Sequence, residues 1–307
     1  MPQIAAPRLR AVLQALFVTF LWSTSWVLIK VGLQELPALT FAGLRYMLAF
    51  LCLLPIAARP AHVAALRSLS RWGWARLVAL GVLLYAATQG AQFLGLAHLP
   101  PVTVSLLLSF TPVVVALVGI PLLAERPSAM QWGGSALALA GALAYFHPVA
   151  LPEGQRFGYA VVIGGVLANA ASSILGRRAN RDGDLPPVVV TVVSMGVGAL
   201  VLVGAGLATE ALPPLSPLNW GIILWLAVVN TAAAITLWNR TLRTLSAVES
   251  SVINNTMLIQ IAVLAWLFLG ERLTTQEIAG LALVGAGTLI VQLRREKPQP
   301  EPDAARV

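Results

Sequence analysis

The chain has 307 residues, of which 58% are hydrophobic and only 10% are charged. A soluble domain is about a quarter charged, because it has to cover its surface with polar groups, and this chain has too few of them. Intrinsic disorder is excluded as well, since disordered chains are poor in the apolar residues that dominate here. Lipid is the solvent that suits this composition, so the sequence indicates an integral membrane protein.

The net charge of +8 comes from 20 basic and 12 acidic residues. In a soluble domain such an excess suggests nucleic acid as a partner. Here most of the basic residues fall in short gaps between apolar runs, where charges set membrane topology, so no nucleic-acid partner is expected. Cys52 is the lone cysteine and lies inside an apolar run, which excludes a disulfide framework and a cysteine-based metal site.

Ten apolar runs approach the length of about 20 residues that a helix needs to cross a bilayer. The breaks between them are turn and charge clusters of at most about fifteen residues, so no soluble domain is expected between spans. The first run is too long for a signal peptide and has no small-residue cleavage site, so it is predicted as span 1. In chain order the predicted spans cover residues 11–33, 37–58, 74–97, 101–124, 129–147, 157–177, 186–209, 218–242, 247–270 and 274–293.

The distribution of Lys and Arg predicts the orientation in the membrane. With the N-terminus inside, 16 of the 20 basic residues fall on the cytoplasmic side, 3 fall outside (Lys30, Arg156 and Arg272), and Arg45 lies within span 2. Positive charge accumulates in cytoplasmic loops, so this division favours both the orientation and an even number of spans. Both termini are therefore predicted to be cytoplasmic.

The chain contains an internal repeat. A shift of 146 residues aligns Glu125-Arg126 with Glu271-Arg272, and 18 of 68 positions are then identical between residues 77–144 and 223–290. Each copy holds five spans, and an odd number makes the second copy enter the membrane from the opposite side. Such inverted repeats are typical of secondary transporters. The prediction is an all-α integral membrane protein with ten transmembrane helices as two inverted five-helix repeats around a central cavity. The repeats cover residues 1–148 and 149–293, and residues 294–307 form a cytoplasmic tail.

Polar side chains recur at helical spacing within six of the spans. Tyr85, Gln89 and Gln92, for example, share one face of span 3. Polar groups are costly in hydrocarbon, so such faces line the bundle interior or a water-filled cavity. The predicted substrate-binding residues are Trp22, Ser25 and Trp26 in span 1, Tyr85, Gln89 and Gln92 in span 3, Ser109 in span 4, Asn169 in span 6, Asn230 and Trp238 in span 8, and Asn254 and Asn255 in span 9.

Several of these residues have a structural alternative. Serine hydroxyls commonly bond to a carbonyl one turn earlier or join two helices, which applies to Ser25 and Ser109. Trp22 and Trp26 are suited to facing lipid and also to stacking on an aromatic or cationic substrate. Arg45 is the one candidate for a substrate carboxylate, but snorkelling to the interface or binding a helix carbonyl end is the preferred interpretation.

All nine Glu and three Asp lie in loops or near span ends. Cation-coupled carriers keep a carboxylate inside the membrane as a proton relay or ion ligand, so facilitated diffusion or weak coupling is expected. No Gly-rich phosphate loop is present, which argues against ATP-driven transport. The sequence predicts no enzymatic activity, no cofactor and no metal. Its expected partners are a small-molecule substrate and the lipid bilayer. These partners do not fix the oligomeric state, and a monomer is compatible with them.

Three segments resemble the EamA-type exporters of the drug/metabolite transporter superfamily: LWSTSWVLIKVG in span 1, LSFTPVVVALVGIPLLAERPS in span 4 and LAWLFLGERLTTQEIAGLALVGAGTLIV across spans 9 and 10. The resemblance covers about 11–293. It implies ten helices, cytoplasmic termini, a central cavity and export of amino acids, other metabolites or drugs across a bacterial inner membrane. One departure is visible: span 4 has the family-like Pro112, but span 9 has Leu258 there, which argues against a symmetric pair of gating prolines.

Within that family, the aromatic and amide side chains resemble those of aromatic-amino-acid exporters most. The leading hypothesis is export of amino acids, large neutral or aromatic ones, by alternating access. The amides would hydrogen-bond the zwitterion, and the aromatic residues would accommodate the substrate side chain. One alternative is a multidrug, organic-cation or other metabolite exporter, for which the deep tryptophans would suffice. The other is a non-transporting membrane scaffold or lipid-handling protein.

Overall fold

The computed structural model describes residues 6–123, 128–147, 153–181, 185–210, 214–242, 244–245 and 247–292. Within these ranges every regular element is helical. The predicted tail 294–307, the predicted repeat boundary at 148–149 and the turn at 125–126 lie outside the described residues. The α-helices are α1 (Ala6–Gly32), α2 (Ala38–Ala57), α3 (Pro60–Arg67), α4 (Arg71–Leu80), α5 (Gly90–His98), α6 (Pro101–Leu108), α7 (Thr111–Leu123), α8 (Ala129–Phe146), α9 (Arg156–Arg181), α10 (Pro187–Thr209), α11 (Pro217–Ala227), α12 (Ala234–Thr241), α13 (Ala247–Leu269) and α14 (Thr275–Gln292).

Eight stretches of the described chain are long and apolar enough to cross a membrane, and they match predicted spans 1–4 and 6–9. Helices α8 and α14 have 18 residues each and match predicted spans 5 and 10, but they are not among the eight. An all-helical membrane protein is therefore confirmed, and the count of ten spans stays a prediction. The eight stretches are Arg8–Gly32, Ala38–Ala57, Arg71–His98, Pro101–Val118, Glu153–Gly176, Pro187–Thr209, Pro217–Thr241 and Glu249–Leu269.

Helices α8 and α14 contact each other along glycines. A Cβ atom on Gly141 would lie 2.7 Å from the carbonyl oxygen of Gly280, and one on Gly134 would lie 2.8 Å from that of Gly287. A residue without a side chain permits two backbones to come this close, as in many membrane helix pairs. The earlier glycine of α8 contacts the later glycine of α14, so the two helices run antiparallel.

Helices α2 and α10 form a second antiparallel pair. A Cβ atom on Gly43 would lie 2.8 Å from the backbone nitrogen of Val203, and one on Gly206 would lie 2.8 Å from that of Thr40. The Glu210 carboxylate follows α10 and accepts hydrogen bonds from the backbone N–H and the hydroxyl of Thr40, both at 2.8 Å. Glu210 thereby satisfies a backbone donor in the first turn of α2, where a helix lacks internal partners.

Two predicted spans contain a π-helical segment. Gly81–Gln89 joins α4 to α5 in span 3, and Val228–Ala233 joins α11 to α12 in span 8. In each segment a threonine hydroxyl, that of Thr88 or Thr231, donates to the carbonyl oxygen five residues earlier at 2.8 Å. The sequence spacing predicts ordinary helices here. π-Helical turns are frequent at functional sites, and these two carry predicted binding residues, namely Tyr85, Gln89 and Asn230.

Predicted span 4 is interrupted. Helix α6 ends at Leu108, and α7 begins at Thr111, directly before Pro112. Proline has no N–H, and its ring clashes with the carbonyl four residues earlier, so it breaks or kinks a helix. Span 9 has Leu258 at the matching position and forms the continuous helix α13. The asymmetry expected from Pro112 is therefore present in the fold.

The largest cluster of buried apolar side chains joins α1, α2, α5, α10 and α11. Phe41 and Phe93 are fully buried in it, with their ring centres 5.2 Å apart and the rings edge to face. Tyr46 and Tyr85 belong to the same cluster. The polar side chains next to these two tyrosines are therefore held in the interior of the bundle.

Candidate functional site

A group of polar and aromatic side chains meets where α2 faces the two π-helical segments. We call it the central cluster, with members Arg45, Tyr46, Tyr85, Gln89 and Thr231. The Tyr46 hydroxyl donates to Gln89 Oε1 at 2.7 Å, and its ring lies edge-on to that of Tyr85 with the centres 5.5 Å apart. The central cluster thus brings together two predicted binding residues, Tyr85 and Gln89, with a guanidinium group.

Arg45 is buried in this cluster. Only 5% of its surface is exposed, and its Nε donates to Thr231 Oγ1 at 3.0 Å. The guanidinium carbon lies 5.9 Å from the centre of the Phe93 ring, within reach of a cation–π interaction. The interpretation preferred from the sequence, snorkelling or binding a helix carbonyl end, is therefore wrong. The hydroxyl that holds the side chain inside lies in the π-helical segment of span 8, 186 residues away along the chain.

Gln92 and Asn254 are the two predicted amides that make no side-chain hydrogen bond with any residue of the described ranges. Gln92 is 9% exposed and lies one turn beyond Gln89. Asn254 is exposed on α13, and at about 100° per residue it projects about 140–160° away from the apolar surface residues Val252 and Ile259. Asn254 therefore lies on a different face of α13 from that apolar surface, and Gln92 is almost fully buried in span 3.

The predicted aromatic residues divide into two groups. Trp22 of α1 and Trp238 of α12 contact each other with ring centres 5.2 Å apart and planes tilted by 51°. Trp26 is buried in the large apolar cluster, together with Tyr46 and Tyr85. The structure therefore places Trp26 in the apolar cluster that also holds Tyr46 and Tyr85, and it assigns Trp22 and Trp238 to a separate contact between spans 1 and 8.

Asn230 connects the π-helical segment of span 8 to α1. It is fully buried, and its Nδ2 donates to the carbonyl of Leu21, to Thr24 Oγ1 at 3.1 Å and to Ser25 Oγ at 3.4 Å. Its Oδ1 is enclosed without a hydrogen-bond partner among the described residues. The Ser25 hydroxyl donates back to the carbonyl of Trp22 at 2.5 Å, as the structural alternative for serine predicts.

The other three predicted residues bond to their own helix or to a neighbouring one. Ser109 donates to the carbonyl oxygen three residues earlier at 2.6 Å. Asn169 of α9 donates to Thr111 Oγ1 at 3.2 Å, and Asn255 of α13 donates to the carbonyl of Gly285 in α14 at 3.3 Å. These bonds tie helices together in the way that is usual for polar groups in membranes. A role in substrate binding stays a prediction for all twelve residues.

Gln260 lies in the middle of α13 and is not among the predicted residues. Its Oε1 accepts from the Ser23 hydroxyl at 2.8 Å, and its Nε2 donates to Thr256 Oγ1 at 3.0 Å and to Thr19 Oγ1 at 3.4 Å. A polar network therefore links α1 and α13. The sequence signal for it is a glutamine inside an apolar run, opposite Thr19 and Ser23 one turn apart.

An ion pair joins α1 and α13 at one end of the bundle. Arg8 Nη2 lies 2.6 Å from Glu249 Oε1, and the two side chains are 60% and 27% exposed. Ala11, Ala15 and Ile253 are buried beside the pair. The first turns of α1 and α13 are therefore in direct contact.

A cavity of about 360 Å³ lies at the opposite end of α1. There Lys30 donates to the carbonyl of Leu96 at 2.6 Å and to that of Leu99 at 3.0 Å, at the end of α5. Burial raises the pKa of the Glu271 carboxyl above its ordinary value, although a hydrogen bond from the Val102 backbone and the charge of Lys30 act against this shift. We call the cavity the Glu271 pocket; its lining includes Thr103, Tyr145, Gln155, Tyr159, Glu271 and Arg272.

Known proteins resemble this chain over nearly its whole length. A probable amino-acid metabolite efflux pump of Salmonella typhimurium is 26% identical over 289 residues, which cover 90% of this chain and 92% of that protein. Its namesake in Escherichia coli is 25% identical over 287 residues, with the same coverage. The uncharacterized transporter YvbV of Bacillus subtilis is 26% identical over 301 residues, covering 94% of this chain and 93% of that transporter.

A solved crystal structure superposes on the chain with a TM-score of 0.65, covering 92% of this chain and 97% of the other at 18% identity. At that identity the likeness shows the fold alone. The sequence profile of the EamA-like transporter family matches this chain twice, over residues 9–146 and 156–293. Those two segments hold the central cluster and most of the described helices. Because both match a transporter family, the chain is a transporter and not the membrane scaffold that the sequence left as an alternative. The chain belongs to the EamA-like transporter family and is an integral membrane transporter.

Proposed function

We propose that this transporter exports amino acids, large neutral or aromatic ones, by alternating access. The observation that carries the proposal is the central cluster, where amide, phenol and guanidinium groups meet in the interior of the bundle. These groups match a zwitterion attached to an apolar side chain, because amides and a guanidinium hydrogen-bond charged groups while aromatic rings stack on apolar ones. The proposal rests further on two relatives that are named amino-acid metabolite efflux pumps.

The architecture that we propose is ten spans in two inverted repeats, residues 1–148 and 149–293. Under the 146-residue shift, Gly134 is equivalent to Gly280 and Gly141 to Gly287. The antiparallel contact between α8 and α14 thus joins equivalent helices, and so does the antiparallel contact between α2 and α10. The two π-helical segments also fall at equivalent positions, in spans 3 and 8. Equivalent helices that run antiparallel are what an inverted repeat requires.

The two ends of the bundle support alternating access. Shifts of 147 and 146 residues align Arg8 with Gln155 and Glu249 with Thr103. The first pair of positions closes α1 against α13, whereas their equivalents line the open Glu271 pocket. Exchange of the two arrangements between the repeats would close the pocket and open the ion-paired end. With the N-terminus cytoplasmic, as the basic residues favour, the conformation described here is open toward the outside of a bacterial inner membrane.

Export of organic cations is the second candidate function. The specific observation in its favour is the half-buried pair of Trp22 and Trp238 between spans 1 and 8. Indole faces attract cations through their quadrupole, and the pair joins spans 1 and 8, which both carry predicted binding residues. Arg45 argues against this candidate, because a buried cation repels a second one.

Transport by the purified protein in liposomes tests the proposal. We expect uptake of radiolabelled phenylalanine or leucine that is saturable and that other large neutral amino acids inhibit, whereas the organic cation tetraphenylphosphonium inhibits it little. An imposed proton gradient should change the rate little, since the described carboxylates lie at helix ends. Uptake of tetraphenylphosphonium without uptake of amino acids would favour the second candidate. Strong acceleration by the proton gradient would refute facilitated transport.

The free amides provide a sharper test of the site. Asn254→Ala and Gln92→Ala should raise the KM for amino-acid uptake about 3- to 10-fold, the effect of losing one hydrogen bond of about 1 kcal/mol. Expression and thermal stability should be unchanged, since neither amide bonds to a residue of the described ranges. Gln34→Ala is the matched control, because this glutamine is exposed in the turn after α1. Unchanged KM values in both variants would remove these amides from the site.

A further inference from the structure

We propose that Arg45 binds the carboxylate of the transported substrate and therefore makes a carboxylate the group that the site requires. The inference rests on the proposed function and deepens it, because it names the chemical class of the substrate by one functional group. It also decides between two roles of Arg45 that the sequence leaves open, namely binding a substrate carboxylate and snorkelling to the interface. Arg45 is buried inside the bundle and does not extend toward the interface.

The argument begins with charge. Arg45 is 5% exposed, and its guanidinium is always protonated in proteins. The groups around it are uncharged: the Thr231 hydroxyl, the Tyr46 phenol and the Phe93 ring. The Thr231 hydroxyl accepts a hydrogen bond from the guanidinium, and the two rings make cation–π contacts with it. None of these groups neutralises its positive charge. A buried cation is strongly unfavourable unless an anion pairs with it.

Every carboxylate in the described part of the chain is held at a helix end or near one. Glu210 binds the first turn of α2, Glu249 pairs with Arg8, and Glu271 follows the end of α13. The others bond near the helix ends as well: Glu35 to Asn219, Glu153 to Arg156 and Glu277 to Thr274. No described carboxylate lies within salt-bridge distance of Arg45, so a carboxylate from outside the chain is the anion that fits.

The geometry of the guanidinium suits this role. Its Nε is occupied by Thr231 Oγ1 at 3.0 Å, which fixes the plane of the group against span 8. The two terminal nitrogens make no hydrogen bond with the described residues, and together they form the fork that binds a carboxylate through both oxygens. Tyr46 is engaged with Gln89, so the neighbouring phenol does not compete for the fork. The aromatic rings of the central cluster lie beside it, where a substrate side chain would be placed.

Ligand-induced thermal stabilisation of the purified full-length protein in detergent tests the proposal without transport. The probes are phenylalanine, 3-phenylpropanoate, which lacks the amine, and phenethylamine, which lacks the carboxylate, with leucine and isopentylamine as a second matched pair. We expect phenylalanine, 3-phenylpropanoate and leucine to raise the unfolding temperature and both amines to leave it unchanged. Equal stabilisation by an amine and its amino acid, or no stabilisation by any carboxylate, would overturn the proposal.

Three variants connect the effect to Arg45. Arg45→Gln should weaken binding of 3-phenylpropanoate at least about tenfold, as expected for loss of a charge-assisted bond, and Arg45→Lys should have an intermediate effect because it keeps the charge without the fork. Thr231→Val should have the smallest effect, since it only frees the plane of the guanidinium. Arg67→Gln is the control, because this arginine is exposed at the end of α3.

If Arg45→Gln does not fold, Arg45→Lys decides the question. Wild-type affinity for 3-phenylpropanoate in a folded Arg45→Lys or Arg45→Gln variant would show that Arg45 only ties α2 to its neighbours, and it would overturn the proposal. The proposed function fails in a different way. If carboxylates stabilise the protein through Arg45 but no amino acid enters the liposomes, the carboxylate site stands and amino-acid transport does not.

Discussion

Covalent linkage of positions 8 and 249 is expected to abolish transport. In a Cys52→Ser background, Arg8→Cys and Glu249→Cys place two thiols where the ion pair now joins the first turns of α1 and α13. A short bifunctional thiol reagent would then hold that end of the bundle closed. Alternating access requires the closed end to open in each cycle, so a locked protein completes no turnover. The measurement is amino-acid uptake in liposomes before and after crosslinking.

Each single-cysteine variant, treated with the same reagent, is the control for chemical damage and should keep its uptake. Loss of the ion pair alone should have little effect on stability, since a surface pair contributes about 0–1 kcal/mol, so the untreated double variant should be folded. Ligand stabilisation should survive crosslinking, because positions 8 and 249 lie outside the central cluster and the reagent changes none of its side chains. Uptake at the wild-type rate by a fully crosslinked protein would contradict the assignment of this end as a gate.

Replacement of Gly141 by alanine is expected to reduce the yield of folded protein sharply. The new Cβ atom would lie 2.7 Å from the Gly280 carbonyl oxygen and 2.7 Å from the Val284 nitrogen, and neither backbone atom is able to move aside without shifting α14. Forcing an extra carbon into such a contact costs about 1–3 kcal/mol or more. The measurement is the unfolding temperature and the monodisperse fraction in detergent.

Gly164→Ala is the matched control. A Cβ atom on Gly164 of α9 meets nothing within 4 Å, and alanine is the better helix former by about 1 kcal/mol. The control should therefore be as stable as the wild type or more so. Equal stability of the two alanine variants would contradict the close approach of α8 and α14, and with it the support that this contact gives to inverted repeats.

Much of the fold was predictable because lipid imposes simple rules on a chain. Apolar runs of about 20 residues must become helices, and the predicted spans correspond to helices throughout the described ranges. Pro112 indicated the break between α6 and α7 for a local reason, since proline disturbs a helix wherever it occurs. The π-helical segments in spans 3 and 8 were not predictable, because their sequences keep ordinary helical spacing and the π-helical turn appears only in the backbone of the folded chain.

The sequence predicted which types of side chain the candidate site contains, but not which individual residues belong to it. The stripe of Tyr85 and Gln89 pointed to the face of span 3 that the structure places against Tyr46. Asn230 and Asn255 have the same chemistry in the sequence as Gln92 and Asn254. The first two amides bond to neighbouring helices, whereas the other two make no such bond within the described ranges. Helical spacing defines a face, but it does not define which helix that face meets.

Composition, charge and the order of apolar runs by themselves determined that lipid is the solvent and where the candidate spans lie, because both depend only on residue type along the chain. They also established that carboxylates avoid the span interiors. The position of Arg45, the one arginine buried among the residues that the structure describes, was decided by tertiary structure alone. Whether Arg45 reaches the interface or stays inside depends on Thr231 and Phe93, and these partners come from spans 8 and 3, which only the folded bundle brings to α2.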